Sequence, residues 1–125
     1  MSQKSCLILY LRCSVSEDGA PVTVFLDLLE LDALNADSIL TSLKACLHSC
    51  GLSDDVLHEC LLGFASDGAS VMLGKQGGVY AKLKAEFPHL MSWHCFNHRL
   101  ELSVHHDAIA VCTEINHFQV FMQKL

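Results

Sequence analysis

This chain of 125 residues lacks long apolar runs, and it contains only two prolines. No stretch approaches eighteen apolar residues without a charge, so the sequence predicts no membrane span. The scarcity of proline also excludes a proline-rich linker. Because 51% of the residues are hydrophobic and 18% are charged, the composition indicates a folded chain rather than a disordered one. The length fits one domain or part of one.

Basic residues are also few, with eight lysines and arginines against fourteen acids and a net charge of −6. Residues 1–67 hold ten acids against three bases, which gives −7, and residues 68–125 hold four acids against five bases, which gives +1. Binding to the phosphates of DNA requires clustered basic side chains, and none are clustered here. We therefore expect this chain alone to bind DNA weakly.

The seven cysteines include no C-x-x-C pair and are odd in number. A disulfide framework is therefore not expected, and a reducing intracellular compartment fits better. Most of these thiols are predicted to be small apolar core residues. They are Cys6, Cys13, Cys46, Cys50, Cys60, Cys95 and Cys112.

The first third of the chain predicts a β-hairpin. Residues 6–14 and 21–31 are rich in leucine, isoleucine, valine and phenylalanine, and the segment 16–20 has the composition of a turn. The first strand is apolar on both faces, which is typical of a strand inside a sheet.

Two helices are predicted next. Asn35 is a candidate N-cap for a helix over 36–50, and Gly51 suits the position just after its end. A shorter helix is expected to start at Ser53, with acids in its first turn. The apolar stripe of the longer helix is Ile39, Leu40, Leu43 and Leu47.

The second half predicts two parallel strands joined by a helix. A short buried strand covers 61–66, a helix over 79–87 ends at Pro88, and a second strand covers 90–94. A further helix is expected over 97–109, and the tail INHFQVFMQKL is amphipathic. The order of the elements predicts a mixed α/β fold.

Two familiar sequence motifs are rejected. A phosphate-binding loop needs four residues between its first glycine and Gly-Lys, whereas five separate Gly68 from Gly74. A nucleophile elbow needs G-x-S-x-G, and Ser70 is followed by Val71 and Met72.

His94, Cys95 and His98 raise the possibility of a metal site. Cys95 and His98 are spaced like half of a zinc site, but no second close pair accompanies them, and structural zinc takes four ligands. The favoured interpretation is a buried cysteine and a hydrogen-bonding histidine at a strand-to-helix turn.

Asp67 is a single carboxylate at the predicted carboxyl end of a strand, followed by Gly68. Open α/β sheets place functional groups at this edge, but an aspartate here can equally cap the next turn. Position alone leaves both roles open. One carboxylate does not hold two divalent metals.

The segments GFASDGASVMLGKQGGVYAKLKAEFPHL, SWHCFNHRLEL and INHFQVFMQKL together resemble the transposase domain of the hAT (hobo/Activator-type) superfamily. The resemblance covers essentially the whole chain. It implies an RNase H-like fold and two-metal DNA cleavage by an Asp, Asp, Glu triad. Asp67 then corresponds to the second triad aspartate, which binds Mg²⁺ in an intact parent protein. Cys95 and His98 match the family's C-x-x-H motif, which implies that they organise the site.

Other parts of the family pattern have no counterpart in this sequence. The first triad aspartate would precede CLILYL on a central strand, and the triad glutamate would follow the chain, as would a dimerisation region. The expected fold is therefore α/β, a partial RNase H-like core over 1–125 that lacks its first, central strand. The missing strand leaves two outcomes: a gap of about 10 Å, two strand spacings, between the strands at 6–14 and 61–66, or direct pairing of these strands. The gap is expected where the arrangement of intact relatives is kept, and closure or aggregation is expected of the isolated chain.

The functional expectation is a fragment of a transposase catalytic domain that is inactive as it stands and has no cofactor of its own. By resemblance, its parent is nuclear, binds DNA through a zinc finger, and has protein partners or forms a homo-oligomer. The alternative is a domesticated nuclear regulatory protein without enzymatic activity, such as a SUMO-ligase-type relative.

Overall fold

The computed structural model describes residues 5–15 and 19–111. The predicted tail over 115–125 and most of the predicted turn at 16–20 lie outside these ranges. The described residues form a mixed α/β structure, as predicted. Its elements are β1 (Ser5–Cys13), β2 (Val22–Leu31), α1 (Ala36–Ser49), α2 (Asp54–Cys60), β3 (Gly63–Ser66), α3 (Ser70–Leu73), α4 (Val79–Glu86), β4 (Met91–His94) and α5 (Phe96–Val111).

Strands β1 and β2 pair antiparallel, which confirms the predicted hairpin. The pairing runs from Ser5 opposite Leu31 to Cys13 opposite Val22. Its register shifts between Leu9 and Tyr10, so that β2 contains a β-bulge in its middle.

Strands β3 and β4 pair parallel, and α3 and α4 form the crossover between them. The pairing runs from Gly63 opposite Met91 to Ser66 opposite His94. Leu62 lies before the strand, but its carbonyl accepts a hydrogen bond from the Met91 amide at 2.9 Å. The parallel arrangement is confirmed, with β3 shorter than predicted. The short helix α3 was not predicted.

In the described part of the chain, the two strand pairs form separate two-stranded sheets, which agrees with the gap and not with direct pairing of the strands at 6–14 and 61–66. The predicted burial of the strands is wrong. On β1, Ile8 is 55% exposed and Tyr10 is 63% exposed, whereas Leu7 and Leu9 are half-buried. Leu62, predicted within a buried strand, is 64% exposed. A two-stranded sheet packs only one face on the core, which leaves the other face open.

Both ends of α1 and the start of α2 lie where the sequence predicted them. The Asn35 side chain accepts a hydrogen bond from the Ser38 amide at 2.8 Å and caps α1. Gly51, just after α1, has a φ of +85°, a conformation that other residues rarely adopt. Ser53 caps α2, with its hydroxyl 3.5 Å from the Val56 amide.

The core lies between α1, α2 and α4 and against the end of β2. Helix α1 contacts both β2 and α4, and the predicted apolar stripe of α1 faces inward. The buried cluster consists of Leu31, Ile39, Leu43, Leu47, Leu57, Val79, Leu83, Phe87 and Leu90.

The prediction that most cysteines are core residues is wrong for the six that the structure describes. All six are free thiols, and only Cys46 is buried. It belongs to the inward face of α1, whereas Cys6 lies on the open face of the hairpin and Cys50 and Cys60 lie at helix ends. Five of the six described thiols therefore lie outside the buried core.

Replacing Leu90 with alanine should destabilise the chain strongly, because this side chain is 0% exposed. We expect the free energy of unfolding to fall by about 2–5 kcal/mol in a urea titration. Leu62→Ala is the matched control: the same atoms are removed from an exposed side chain near the same strand pair, and the loss should stay below about 0.5 kcal/mol. Equal losses in the two variants would contradict this packing.

Candidate functional site

Asp67 directly follows β3 and is exposed to solvent. Its Oδ1 accepts a hydrogen bond from the Ala69 amide at 3.2 Å, which forms an Asx turn ahead of α3. The Ser66 hydroxyl donates to the Asp67 carbonyl at 3.0 Å. The turn-capping role considered for Asp67 is therefore present in the structure. This hydrogen bond uses only Oδ1, so the turn is compatible with a second role of the Asp67 carboxylate in binding a ligand.

The end of β4 lies beside the end of β3. The Cys95 amide donates to the Ser66 carbonyl at 2.8 Å, one residue beyond the paired strands. Helix α5 begins at the next residue, and the Arg99 amide donates to the Cys95 carbonyl at 3.1 Å. Asp67 and the Cys95–His98 motif are thus attached to the same carboxyl edge, as predicted from the parallel strands.

His94 is the residue at this edge whose contacts the sequence did not predict. Its ring packs directly against Gly68, and the ring centroid lies 6.1 Å from that of His98. Its Nε2 is buried and has no hydrogen-bond partner among the described residues. In the sequence, Gly68 after an aspartate indicates only a turn, so no signal pointed to this contact.

The C-x-x-H residues do not form a metal site in the described part of the chain. Cys95 is exposed, so the favoured interpretation of a buried cysteine at this turn is wrong. His98 Nδ1 lies 3.7 Å from Glu101 Oε2 within α5. No group of three or more His, Cys, Asp or Glu side chains among the described residues could hold a metal ion. Asp67 is a single carboxylate, and the donor set at this edge does not fit a two-metal Mg²⁺ centre.

A charged cluster in another part of the fold, which we did not predict, joins three helices. Lys44 on α1 contacts Asp54 at 3.3 Å and also binds Glu86 at the end of α4. His48, one turn after Lys44, lies 3.1 Å from Asp54. The Lys44 ammonium group also lies 5.9 Å from the centre of the Phe87 ring. The sequence shows Lys44 and His48 four residues apart, but their partners come from other helices.

These contacts shift two pKa values. The hydrogen bond with His48, and then that with Lys44, lower the pKa of Asp54 below its usual value of 3.8, although burial opposes the shift. The hydrogen bond with Glu86, and then that with Asp54, raise the pKa of Lys44 above 10.5 against the effect of burial. Lys44 and Asp54 are therefore both charged throughout the neutral range. The contacts of the cluster tie α1, α2 and α4 together.

A comparison of the chain with protein-family models, curated proteins and solved structures finds no match. The helices that the structure describes include none long and apolar enough to cross a membrane. The resemblance to hAT transposases therefore stays a prediction.

The charged cluster predicts a specific loss of stability in acid. Because the pKa of Asp54 is lower in the folded chain, its contribution is present above pH 3.8 and is lost as the pH falls through the folded value. The wild-type chain should lose more stability between about pH 5 and about pH 2 than Asp54→Asn does.

The measurement is urea unfolding across this pH range. Asp55→Asn is the matched control, because Asp55 neighbours Asp54 on α2 and takes part in none of the cluster contacts. Asp55→Asn should lose as much stability as the wild type. An Asp54→Asn variant that keeps the full wild-type loss would contradict the cluster.

We expect the purified chain to contain no stoichiometric zinc, because no second pair of ligands joins Cys95 and His98 among the residues that the structure describes. Elemental analysis of reduced protein measures this directly. Exchange of both residues for alanine should change the zinc content no more than Cys60→Ala, which alters an exposed thiol elsewhere. One zinc per chain, lost only in the Cys95 and His98 variant, would overturn this expectation.

Proposed function

We propose that this chain is part of the RNase H-like catalytic domain of a hAT-type DNA transposase, or of a protein derived from one. The observation that carries the proposal is the position of Asp67 at the carboxyl end of β3, with Cys95 hydrogen-bonded to the same strand end. An antiparallel hairpin followed by a parallel pair is the strand arrangement that the resemblance implies.

Asp67 is the residue proposed to serve the chemistry of the parent protein. Open α/β sheets bind their ligands at the carboxyl ends of the strands, which is where this side chain lies. It is exposed, and its Asx turn uses only Oδ1. In an intact parent, a carboxylate in this position would contribute one ligand to a divalent cation.

The chain alone is proposed to be inactive. Two-metal cleavage of a phosphodiester needs several carboxylates that converge from different elements, and the triad resemblance assigns only Asp67 in this sequence. The net charge of −6 also opposes binding to the DNA backbone.

A second candidate function is a nuclear regulatory module that binds protein partners and has no enzymatic activity. It is favoured by the outer face of the hairpin, where Ile8, Tyr10, Phe25 and Leu28 are each more than half exposed. Tyr10 and Phe25 contact each other with ring centroids 5.7 Å apart. Contiguous apolar patches of this kind commonly mark contacts with other proteins.

Sequencing the complete transcript separates the two candidates. A coding sequence with a zinc finger and an aspartate-bearing strand upstream, and a glutamate after a helical region downstream, would support the transposase. In that parent protein, Asp67→Asn should reduce DNA cleavage by at least ~100-fold, because ligand loss removes several kcal/mol of transition-state stabilisation. Asp55→Asn should leave cleavage unchanged. A transcript without these catalytic residues would favour the regulatory module.

We expect the 125-residue chain to show no DNA cleavage or strand transfer with Mg²⁺ or Mn²⁺, because a single carboxylate does not form the two-metal centre. The measurement is conversion of supercoiled DNA to nicked or linear forms. Asp67→Ala is the control for contaminating nuclease, since background cleavage would persist in it. Metal-dependent cleavage that disappears in Asp67→Ala would refute the expected inactivity.

A further inference from the structure

The contact between His94 and Gly68 is unusually close. A Cβ atom at Gly68 would lie 2.4 Å from His94 Cε1 and 2.5 Å from Nε2, nearer than real Cβ atoms approach other heavy atoms. The imidazole edge therefore occupies the space that any other side chain at this position would need. Only glycine allows the present arrangement of these two residues.

The backbone that carries the His94 ring is held by the pairing of β3 with β4 and by the start of α5. His94 is the last residue of β4 and lies opposite Ser66 in the parallel pairing. The next amide, that of Cys95, is hydrogen-bonded to Ser66 as well. His98 follows one turn into α5, with its ring near that of His94. Because these contacts fix the backbone, the Cα of His94 stays beside the Asx turn, and the ring leaves Gly68 only by rotating about its side-chain bonds.

The buried nitrogen of His94 points to a steric role. Nε2 makes no hydrogen bond among the described residues, and burial without a partner is unfavourable for a polar atom. Because Nε2 makes no hydrogen bond there, the ring edge that faces Gly68 acts through its shape. The opposite end of β3 provides the contrast: a Cβ at Gly63 would lie 4.0 Å from the Met91 carbonyl oxygen, an ordinary contact.

Gly68 lies between the two residues of the Asx turn. Asp67 supplies the carboxylate and Ala69 the amide that binds it, so the backbone at Gly68 determines how the carboxylate is oriented. We infer that the His94 ring, packed on Gly68, holds this turn and thereby fixes the direction of the Asp67 carboxylate. His94 is then a positioning residue for Asp67. The use of that carboxylate in DNA cleavage rests on the proposed function, but the contact itself does not.

The test uses the ¹⁵N-labelled chain and the amide resonance of Ala69, which reports the hydrogen bond to Asp67. In Gly68→Ala the new methyl group should displace the ring, shift this resonance upfield and speed its hydrogen exchange. Combining Gly68→Ala with His94→Ala should change the Ala69 resonance no further than His94→Ala alone does, because the ring that the methyl group would displace is already absent. Gly63→Ala, the matched glycine in β3, should leave the Ala69 resonance unchanged.

His94→Ala alone and His94→Phe complete the experiment, and both leave Gly68 itself unchanged. His94→Ala should speed exchange at Ala69 while the thermal midpoint changes little. His94→Phe keeps an aromatic ring at this position but removes the ring nitrogens. It should keep the wild-type resonance and the wild-type exchange rate of the Ala69 amide. Three results would overturn the inference: a wild-type Ala69 resonance in His94→Ala, a further large shift when Gly68→Ala is added to His94→Ala, or faster exchange at Ala69 in His94→Phe. None of these readouts involves metal or DNA, so inactivity of the parent transposase would contradict the proposed function alone.

Discussion

The nine buried side chains between α1, α2, α4 and the end of β2 form one cluster, and both strand pairs depend on it. A two-stranded sheet is marginal in water unless one face packs against something else. Helix α1 supplies that surface by contacting β2 on one side and α4 on the other. The ion pairs of Lys44 join the same helices at the boundary of the cluster. Helix packing therefore holds the two sheets in one fold, although no hydrogen-bonded ladder joins them in the described residues.

The candidate site lies outside this core. Asp67, Cys95 and the start of α5 are attached to the carboxyl ends of β3 and β4, where the side chains are mostly exposed. Local contacts set the geometry there: the Asx turn at Asp67, the hydrogen bond from Cys95 to Ser66, and the His94 ring on Gly68. A site built in this way can change its polar residues without disturbing the cluster that stabilises the chain.

The sequence predicted the elements well because their signals are local. Asn35 and Ser53 mark the starts of α1 and α2 through hydrogen bonds to amides three residues later. Gly51 marks the end of α1 through its positive φ. The two strand pairings followed from short turns and from the crossover helix. Burial was predicted poorly, since apolar residues on both faces of β1 indicate an interior strand only when a wider sheet exists. The exposed faces at Ile8 and Leu62 arise from that difference.

The candidate site was predictable in part, for the same reason. Asp67 could be placed at a strand end from the apolar run that precedes it, and Cys95 and His98 from their spacing. The contact of His94 with Gly68 depends on the register of β3 against β4, which a single sequence does not encode locally. The partners of Lys44 come from two other helices, so its ion pairs depend on tertiary packing.

The bulge in β2 determines whether the Phe25 ring lies on the outer face of the hairpin. Continuous pairing beyond Leu9 would place Leu26 opposite Tyr10 on the outer face and would turn Phe25 inward. The bulge exchanges these two neighbours, so that Leu26 packs against the core and Phe25 meets Tyr10 on the surface. One extra residue in a strand thus decides whether Tyr10 on the exterior is paired with an aliphatic or an aromatic side chain.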